Sequence, residues 1–283
     1  MKVINNKKIA VQELKRISTR TNSENNNKIN EIVEEILQEV KNYGDIAVEK
    51  YTKKFDGFNP DPMQVSTNDL KDAWNEIDSN LKHSLEVALK RITKFHEKEI
   101  PSSFLIKGQH GDTVQRKWRP VKNAGIYIPG GKAAYPSTVL MNAIPATVAG
   151  VEEIIMVSPG NKEGKINKTV LAAAYLSGIN KVFRIGGAQA IGALAFGTNQ
   201  INKVDVITGP GNIYVTTAKK LIYGTTGIDS LAGPSEILII ADETANIGYI
   251  SSDLLAQAEH DPLASAILLT TSKKQAKEVL EEL

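Results

Sequence analysis

The chain has 283 residues, a formal net charge of +2, 41% hydrophobic residues and 23% charged residues, which is ordinary for one or two globular domains. So small a net charge gives no reason to expect a partner such as nucleic acid or a membrane surface. The chain contains no cysteine, which excludes disulfides, thiolate metal ligands and a cysteine nucleophile, and no long apolar stretch, which predicts a cytoplasmic protein without a signal peptide.

The first 120 residues carry most of the charge, and their apolar residues recur at helical spacing. One amphipathic helix is predicted around Ile29, Ile36 and Val40, with Gly44 interrupting or ending it. A second is predicted from about Leu70 to Glu99, with Pro101 just beyond its end. This part of the chain is therefore expected to be a helical segment.

From Val121 onward, short apolar runs alternate with glycine turns and helix-like stretches. The strand candidates are Ala124–Ile128, Glu153–Val157, Lys181–Ile185, Val204–Ile207, Glu236–Ile240 and Ala266–Thr270. The helix candidates are Ser137–Ala149, Lys168–Ser177, Ala188–Ala195, Ile213–Ile222, Ile247–His260 and a last helix from Lys273. This alternation predicts an α/β fold with a parallel sheet and helices on its faces.

Four glycine-rich loops lie at the ends of predicted strands, at Pro129–Lys132, Gly186–Gln189, Gly209–Asn212 and Gly233–Glu236. Glycine lets a backbone approach a phosphate closely, and the following helix N-terminus favours negative charge. None of the loops has a dinucleotide-binding or Walker spacing, and glycine is also common in tight turns between strand and helix. A nucleotide or another phosphate ligand and purely structural turns therefore remain equal alternatives.

Several polar residues lie beside these loops. Tyr127 could contact a nucleotide ring or pack at the sheet rim, and Gln189 and Asn212 could contact a ligand or occupy helix N-termini, where Asn commonly caps. Lys219 and Lys220 are predicted to be solvated.

Gln257 and His260 stand at positions i and i+3 of a predicted helix, so both side chains lie on one face. Two donors on one face could form half of a metal site. A glutamine ligand is uncommon in zinc sites, however, so a polar helix end before Asp261 and Pro262 is the alternative interpretation.

Ordered blocks of sequence carry a more specific signal. They are Gly125–Gly131, Tyr135–Ala143, Gly186–Ile191, Ala193–Gly197, Val204–Asp205, Gly209–Asn212, Ala232–Glu236 and Ser252–His260. Together they resemble the histidinol dehydrogenase family, densely from about Arg119 to Thr270 and more loosely before it.

The resemblance implies an enzyme that oxidises L-histidinol to L-histidine through L-histidinal, using two NAD molecules in succession and one zinc ion per site. It also implies a homodimer whose sites borrow residues from the partner subunit. The fold implied is a pair of incomplete Rossmann units, like those of aldehyde dehydrogenases. Residues 121–233 would form an inserted NAD-binding domain, and residues 1–120 with 234–283 the other domain.

The resemblance also assigns site residues. Tyr127, Gln189 and Asn212 match NAD-contacting positions, Ser235 matches a substrate-contacting position, and Gln257 and His260 match zinc ligands that also contact substrate.

The family's catalytic Glu–His pair and its remaining Asp and His zinc ligands match no residue of this sequence and are expected beyond Leu283. The chain is therefore expected to be a fragment that is inactive alone. Two alternatives stay open, namely a degenerate nucleotide-binding or dimerisation module, and a related dehydrogenase of another small alcohol.

Overall fold

A computed structural model describes residues 2–19, 24–130, 134–231, 236–259 and 264–283. The chain forms two compact units. The sheet unit consists of Ile29–Leu231, and the terminal unit combines Met1–Lys28 with Ala232–Leu283. The sheet unit is wider than the predicted inserted domain of residues 121–233, and that domain division stays a prediction.

The sheet unit contains eight helices, counting α2, which begins shortly before it, and seven strands in its described residues. They are α2 (Glu24–Tyr43), α3 (Asp45–Phe55), α4 (Thr67–Glu76), α5 (Ser79–His96), β1 (Phe104–Lys107), β2 (Thr113–Arg116), β3 (Asn123–Tyr127), α6 (Pro136–Ala149), β4 (Glu153–Val157), α7 (Lys168–Leu176), β5 (Lys181–Phe183), α8 (Gly187–Phe196), β6 (Val206–Thr208), α9 (Ile213–Ile222) and β7 (Gly227–Ile228).

Five of these strands form one parallel sheet in the order β5-β4-β3-β6-β7. In chain order, the sheet begins with the central strand β3 and adds β4 and β5 on one side of it. The chain then adds β6 and β7 on the other side of β3. The strand order therefore reverses between β3 and β6. In open α/β sheets, ligands bind at the carboxyl ends of the strands at such a switch point.

Both faces of this sheet are covered by helices. One core cluster contains Ile155 and Val157 of β4 together with residues of α2, α3, α8 and α9. The other contains the intervening Met156 together with residues of α4, α5, α6 and α7. Successive strand residues point to opposite faces, so a strand buried on both sides is apolar throughout. The predicted α/β fold with a parallel sheet is confirmed.

The predicted single helix from Leu70 to Glu99 is wrong, because α4 and α5 are separate helices. Ile77 adopts an extended backbone, and the Asp78 side chain accepts hydrogen bonds from the backbone N–H groups of Asn80 and Leu81. An N-cap aspartate satisfies amides that have no partner within the helix, so Asp78 starts α5 afresh.

The terminal unit contains α1 (Lys7–Thr19), β8 (Glu236–Ala241), α10 (Ile247–Ala258), β9 (Ser265–Thr270) and α11 (Lys273–Glu282). Strands β8 and β9 pair in parallel, from Glu236 opposite Ser265 to Ala241 opposite Thr270. Ile250 and Leu254 of α10 pack with Val279 of α11 in the unit's small core. Among the described residues, no helix is long and apolar enough to cross a membrane.

Candidate cofactor-binding site

A cleft of about 520 Å³ lies within the sheet unit at the carboxyl ends of β3, β5 and β6. Its volume is in the range of small-molecule sites. Residues from all three strand ends line it, including Tyr127, Gln189 and Asn212. The structure therefore brings together the residues for which the sequence predicted NAD contact, at the reversal of strand order.

Tyr127 is the last residue of β3, and its side chain is buried. Its hydroxyl oxygen accepts a hydrogen bond from the backbone N–H of Gly187 at 3.2 Å. Burial raises the pKa of Tyr127 to about 12, and the nearby negative charge of Asp56 acts in the same direction. The phenol thus stays neutral at physiological pH, and its hydroxyl hydrogen is available to a ligand in the cleft.

Gln189 lies in the first turn of α8 and is 1% exposed. Neither its amide oxygen nor its amide nitrogen has a hydrogen-bond partner among the described residues. A buried polar atom without a partner costs about 1–3 kcal/mol. Two such atoms on one side chain that lines a cleft are the arrangement expected of a residue whose partner is a ligand.

Asn212 is the N-cap of α9. Its Oδ1 accepts hydrogen bonds from the backbone N–H groups of Tyr214 and Val215, both at 3.1 Å. The helix-capping role that the sequence offered as an alternative for Asn212 is therefore confirmed. Because capping uses the oxygen, the amide nitrogen is the group that this residue can present to a ligand in the cleft.

The loop before Asn212 is held by an ion pair between a buried lysine and a partly exposed aspartate. Lys219, 4% exposed, donates a hydrogen bond to the carbonyl oxygen of Gly209 at 3.0 Å and pairs with the carboxylate of Asp229. Asp229 also accepts a hydrogen bond from the Gly209 N–H at 2.8 Å. The prediction that Lys219 is solvated is wrong, because β7 brings Asp229 back beside this face of α9.

Two glycines allow the loops to pack closely around Pro159. A Cβ on Gly130 would lie 2.5 Å from the Pro159 ring, and a Cβ on Gly186 would lie 2.6 Å from the Pro159 Cβ. Real Cβ contacts are longer than this, so both positions need glycine. At these positions the packing of loop against loop accounts for the glycine pattern without a phosphate.

Asp56 is not among the candidate site residues that the sequence suggested. It is the C-cap of α3 and lines the same cleft as Tyr127. Burial raises the pKa of its carboxyl group to about 6. No local signal identifies such a residue, because only the packing of α3 beside the sheet brings it to the site.

A larger cleft of about 880 Å³ adjoins this one and shares Pro129, Gly130 and Pro159 with it. Its rim carries both signs of charge, and Lys168 there pairs with Glu76. The smaller cleft is the better candidate because it contains Gln189, whose buried amide has no partner within the described ranges.

The predicted zinc and substrate residues belong to the terminal unit. Gln257 lies on α10, and its amide nitrogen is buried without a hydrogen-bond partner among the described residues. An amide nitrogen only donates, so the partner that it lacks is an acceptor such as a substrate oxygen, whereas a metal would be bound by the amide oxygen. His260 and Ser235 lie outside the described residues. Within the described ranges, no cluster of three or more His, Asp or Glu side chains could hold a metal.

Comparison with known proteins gives one consistent result. The family model described as histidinol dehydrogenase matches residues 19–283. The chain is 88% identical to the histidinol dehydrogenase of Prochlorococcus marinus strain MIT 9312 over 283 residues, which is 100% of this chain and 64% of that protein. It is 55% identical to the Aquifex aeolicus histidinol dehydrogenase over 87% of this chain and 57% of that protein.

A solved structure agrees with these matches. The crystal structure of histidinol dehydrogenase from Elizabethkingia anophelis superposes with a TM-score of 0.82 at 42% identity, over 89% of this chain and 58% of that chain. This chain thus spans about two thirds, or less, of the length of these relatives.

Proposed function

This chain belongs to the histidinol dehydrogenase family, and from that premise we propose that it carries the dinucleotide-binding part of an enzyme that oxidises L-histidinol to L-histidine through L-histidinal. NAD is the proposed oxidant, and two molecules are used in succession. The proposed fold of this part is Rossmann-like. Homodimerisation with shared sites is a further part of the proposal and rests on the family resemblance alone.

The observation that carries the proposal is the buried Gln189 amide at the reversal of strand order. Its two polar atoms have no hydrogen-bond partner in the part of the chain that the structure describes, and they lie in the same cleft as Tyr127 and Asn212. A dinucleotide supplies both hydrogen-bond donors and hydrogen-bond acceptors, so it could satisfy both atoms of this amide. The N-terminus of α8 also opens at this cleft, and a helix N-terminus favours the negative charge of a phosphate.

The chemistry removes four electrons from a primary alcohol. A base takes the hydroxyl proton while hydride leaves for the cofactor, and the resulting aldehyde must then become a hydride donor again. A cysteine adduct would serve, but this chain has no cysteine. Addition of water to the aldehyde gives a hydrate that can lose hydride in the second oxidation.

Gln257 and His260 are the residues that would hold the zinc. When bound, the metal would orient the amine and imidazole nitrogens of the substrate and so position its reacting carbon. This part of the proposal rests on the family resemblance, because zinc would be bound by the Gln257 amide oxygen, whereas the buried atom that has no partner among the described residues is the amide nitrogen.

Binding of NADH tests the proposal directly. Replacing Gln189 with leucine should weaken NADH binding by about tenfold, equivalent to about 1.4 kcal/mol. The same change should raise the free energy of unfolding of the unliganded protein by about 1 kcal/mol, because it removes two unsatisfied buried atoms. Fluorescence titration and chemical denaturation measure these two effects.

The matched control is Gln200→Leu, which changes an exposed glutamine of the same unit. It should leave the NADH affinity unchanged. Undetectable NADH binding by the wild-type chain, or equal affinity of the wild-type and Gln189→Leu proteins, would contradict the proposed cofactor site.

We expect the 283-residue chain by itself not to oxidise histidinol, because none of its residues matches the family's catalytic Glu–His pair. The measurement is NADH formation on mixing the chain with L-histidinol, NAD and zinc. Turnover at about one per second or faster, ordinary for enzymes, would show that residues of this chain supply the base.

A further inference from the structure

The carboxyl group of Asp56 is a polar group in the cleft that neither the family resemblance nor the fold explains. Asp56 caps the C-terminus of α3, where its backbone N–H donates to the Thr52 carbonyl oxygen at 2.8 Å. Its Oδ2 atom is buried and has no hydrogen-bond partner among the described residues. The Asp56 side chain thus resembles that of Gln189, which lines the same cleft.

A carboxylate at this position is unfavourable for the unliganded protein on two counts. Burial removes water from the charge, and the C-terminal end of a helix carries partial negative charge that repels it. The nearby cation Lys54 does not offset this, because its ammonium group lies over the rings of Tyr51 and Phe55, 5.8 and 5.3 Å from their centroids. The partner that such a carboxylate lacks must donate a hydrogen bond, since an ionised carboxyl group only accepts.

A dinucleotide offers such donors in its ribose hydroxyl groups. A cleft of about 520 Å³ is large enough for at least one nucleoside half of the cofactor. In dinucleotide sites an acidic side chain commonly binds the ribose hydroxyls of NAD, and the same charge repels the 2′-phosphate of NADP. Glu35 adds a second acidic group to the wall of this cleft.

We propose that Asp56 accepts a hydrogen bond from a ribose hydroxyl of the adenosine half of the cofactor and thereby selects NAD over its 2′-phosphorylated form. This inference rests on the proposed function, since it requires the cleft to bind a dinucleotide. It assigns cofactor selection to a residue of α3, far in sequence from the glycine loops.

The test is titration of the purified chain with NADH and with NADPH, for the wild-type protein and for Asp56→Asn. Asparagine keeps the shape of the side chain and removes the charge. The wild-type chain should prefer NADH by at least tenfold. Asp56→Asn should weaken NADH binding by about tenfold and reduce the preference over NADPH to about threefold or less, since each tenfold change is about 1.4 kcal/mol.

The pH dependence of binding gives a second readout that a purely structural role would not affect. Because burial raises the pKa of Asp56 to about 6, the wild-type chain should lose NADH affinity as the pH falls through 6. The Asp56→Asn protein should lack this loss. The other titratable groups at this cleft are Glu35 from α2, Tyr51 and Lys54 from α3, Tyr127 from β3 and Tyr214 from α9. They are common to both proteins, so the difference between the two profiles reports Asp56.

Asp61→Asn is the matched control, because it removes an exposed carboxyl group five residues along the same loop. It should leave both the affinity and the preference unchanged. If the wild-type chain binds NADH and Asp56→Asn retains the full preference, the inference is wrong while the proposed function stands. If the wild-type chain binds neither nucleotide, both fail. Thermal melting of each variant confirms that the protein under titration is folded.

Discussion

Replacing Gly209 with alanine is expected to lower the free energy of unfolding by about 4 kcal/mol, roughly half from backbone strain and half from overpacking. Gly209 has a φ of +112°, which side chains of L-residues rarely allow. An added Cβ would lie 2.1 Å from the carbonyl oxygen of Tyr127, which belongs to the central strand and cannot move away. Urea denaturation followed by circular dichroism measures the loss.

Gly178→Ala separates the two contributions. Gly178 has a φ of +76°, but no atom lies within 4 Å of the position of its Cβ, so alanine there meets strain without a clash. Its expected cost is about 2 kcal/mol. Equal losses for the two variants would mean that the contact with Tyr127 contributes nothing.

Replacing Asp229 with asparagine is expected to destabilise the protein by about 3 kcal/mol, because it leaves the buried ammonium group of Lys219 without a counter-ion. The asparagine side chain can still accept a hydrogen bond from the Gly209 N–H, so the loop keeps this bond. The loss of stability therefore measures the contribution of the charge. NADH affinity should also fall, because the ion pair fixes Gly209, which precedes Asn212 by three residues in the same loop.

The double variant Lys219→Met/Asp229→Asn provides the control. It removes both charges and replaces the buried lysine with an apolar side chain, so it should be more stable than Asp229→Asn alone by at least about 1.5 kcal/mol. Strictly additive losses in the double variant would show that the two side chains do not act as a pair.

The sequence predicted features that depend on neighbouring residues. The strands β3, β4 and β5 were predicted within two residues of each end, because apolar runs bounded by glycine or proline reveal buried strands without reference to the rest of the chain. Capping by Asn212 was likewise offered as an interpretation of local sequence. The break between α4 and α5 was missed. Apolar residues continue at helical spacing across Asp78, and this continuity concealed its role as an N-cap.

Features that depend on distant residues were beyond such reasoning. Lys219 has a charged side chain on a short helix, and its burial follows only from its pairing with Asp229, which lies ten residues later, directly after β7. Asp56 reaches the cleft because α3 packs on the same sheet face as α8. In both cases the decisive contact joins segments whose proximity no local periodicity encodes.

The sequence by itself determined the α/β class, the family, and the residues Tyr127, Gln189 and Asn212 as candidates for cofactor contact. These conclusions rest on local patterns and on ordered motifs, which need no coordinates. Only the tertiary structure decided that these residues share one cleft at the reversal of strand order, and that Gln189 and Asp56 line it with buried polar atoms that have no described protein partner. The physical reason is that burial and hydrogen bonding depend on strand order and helix packing, which set distances between residues far apart in the chain.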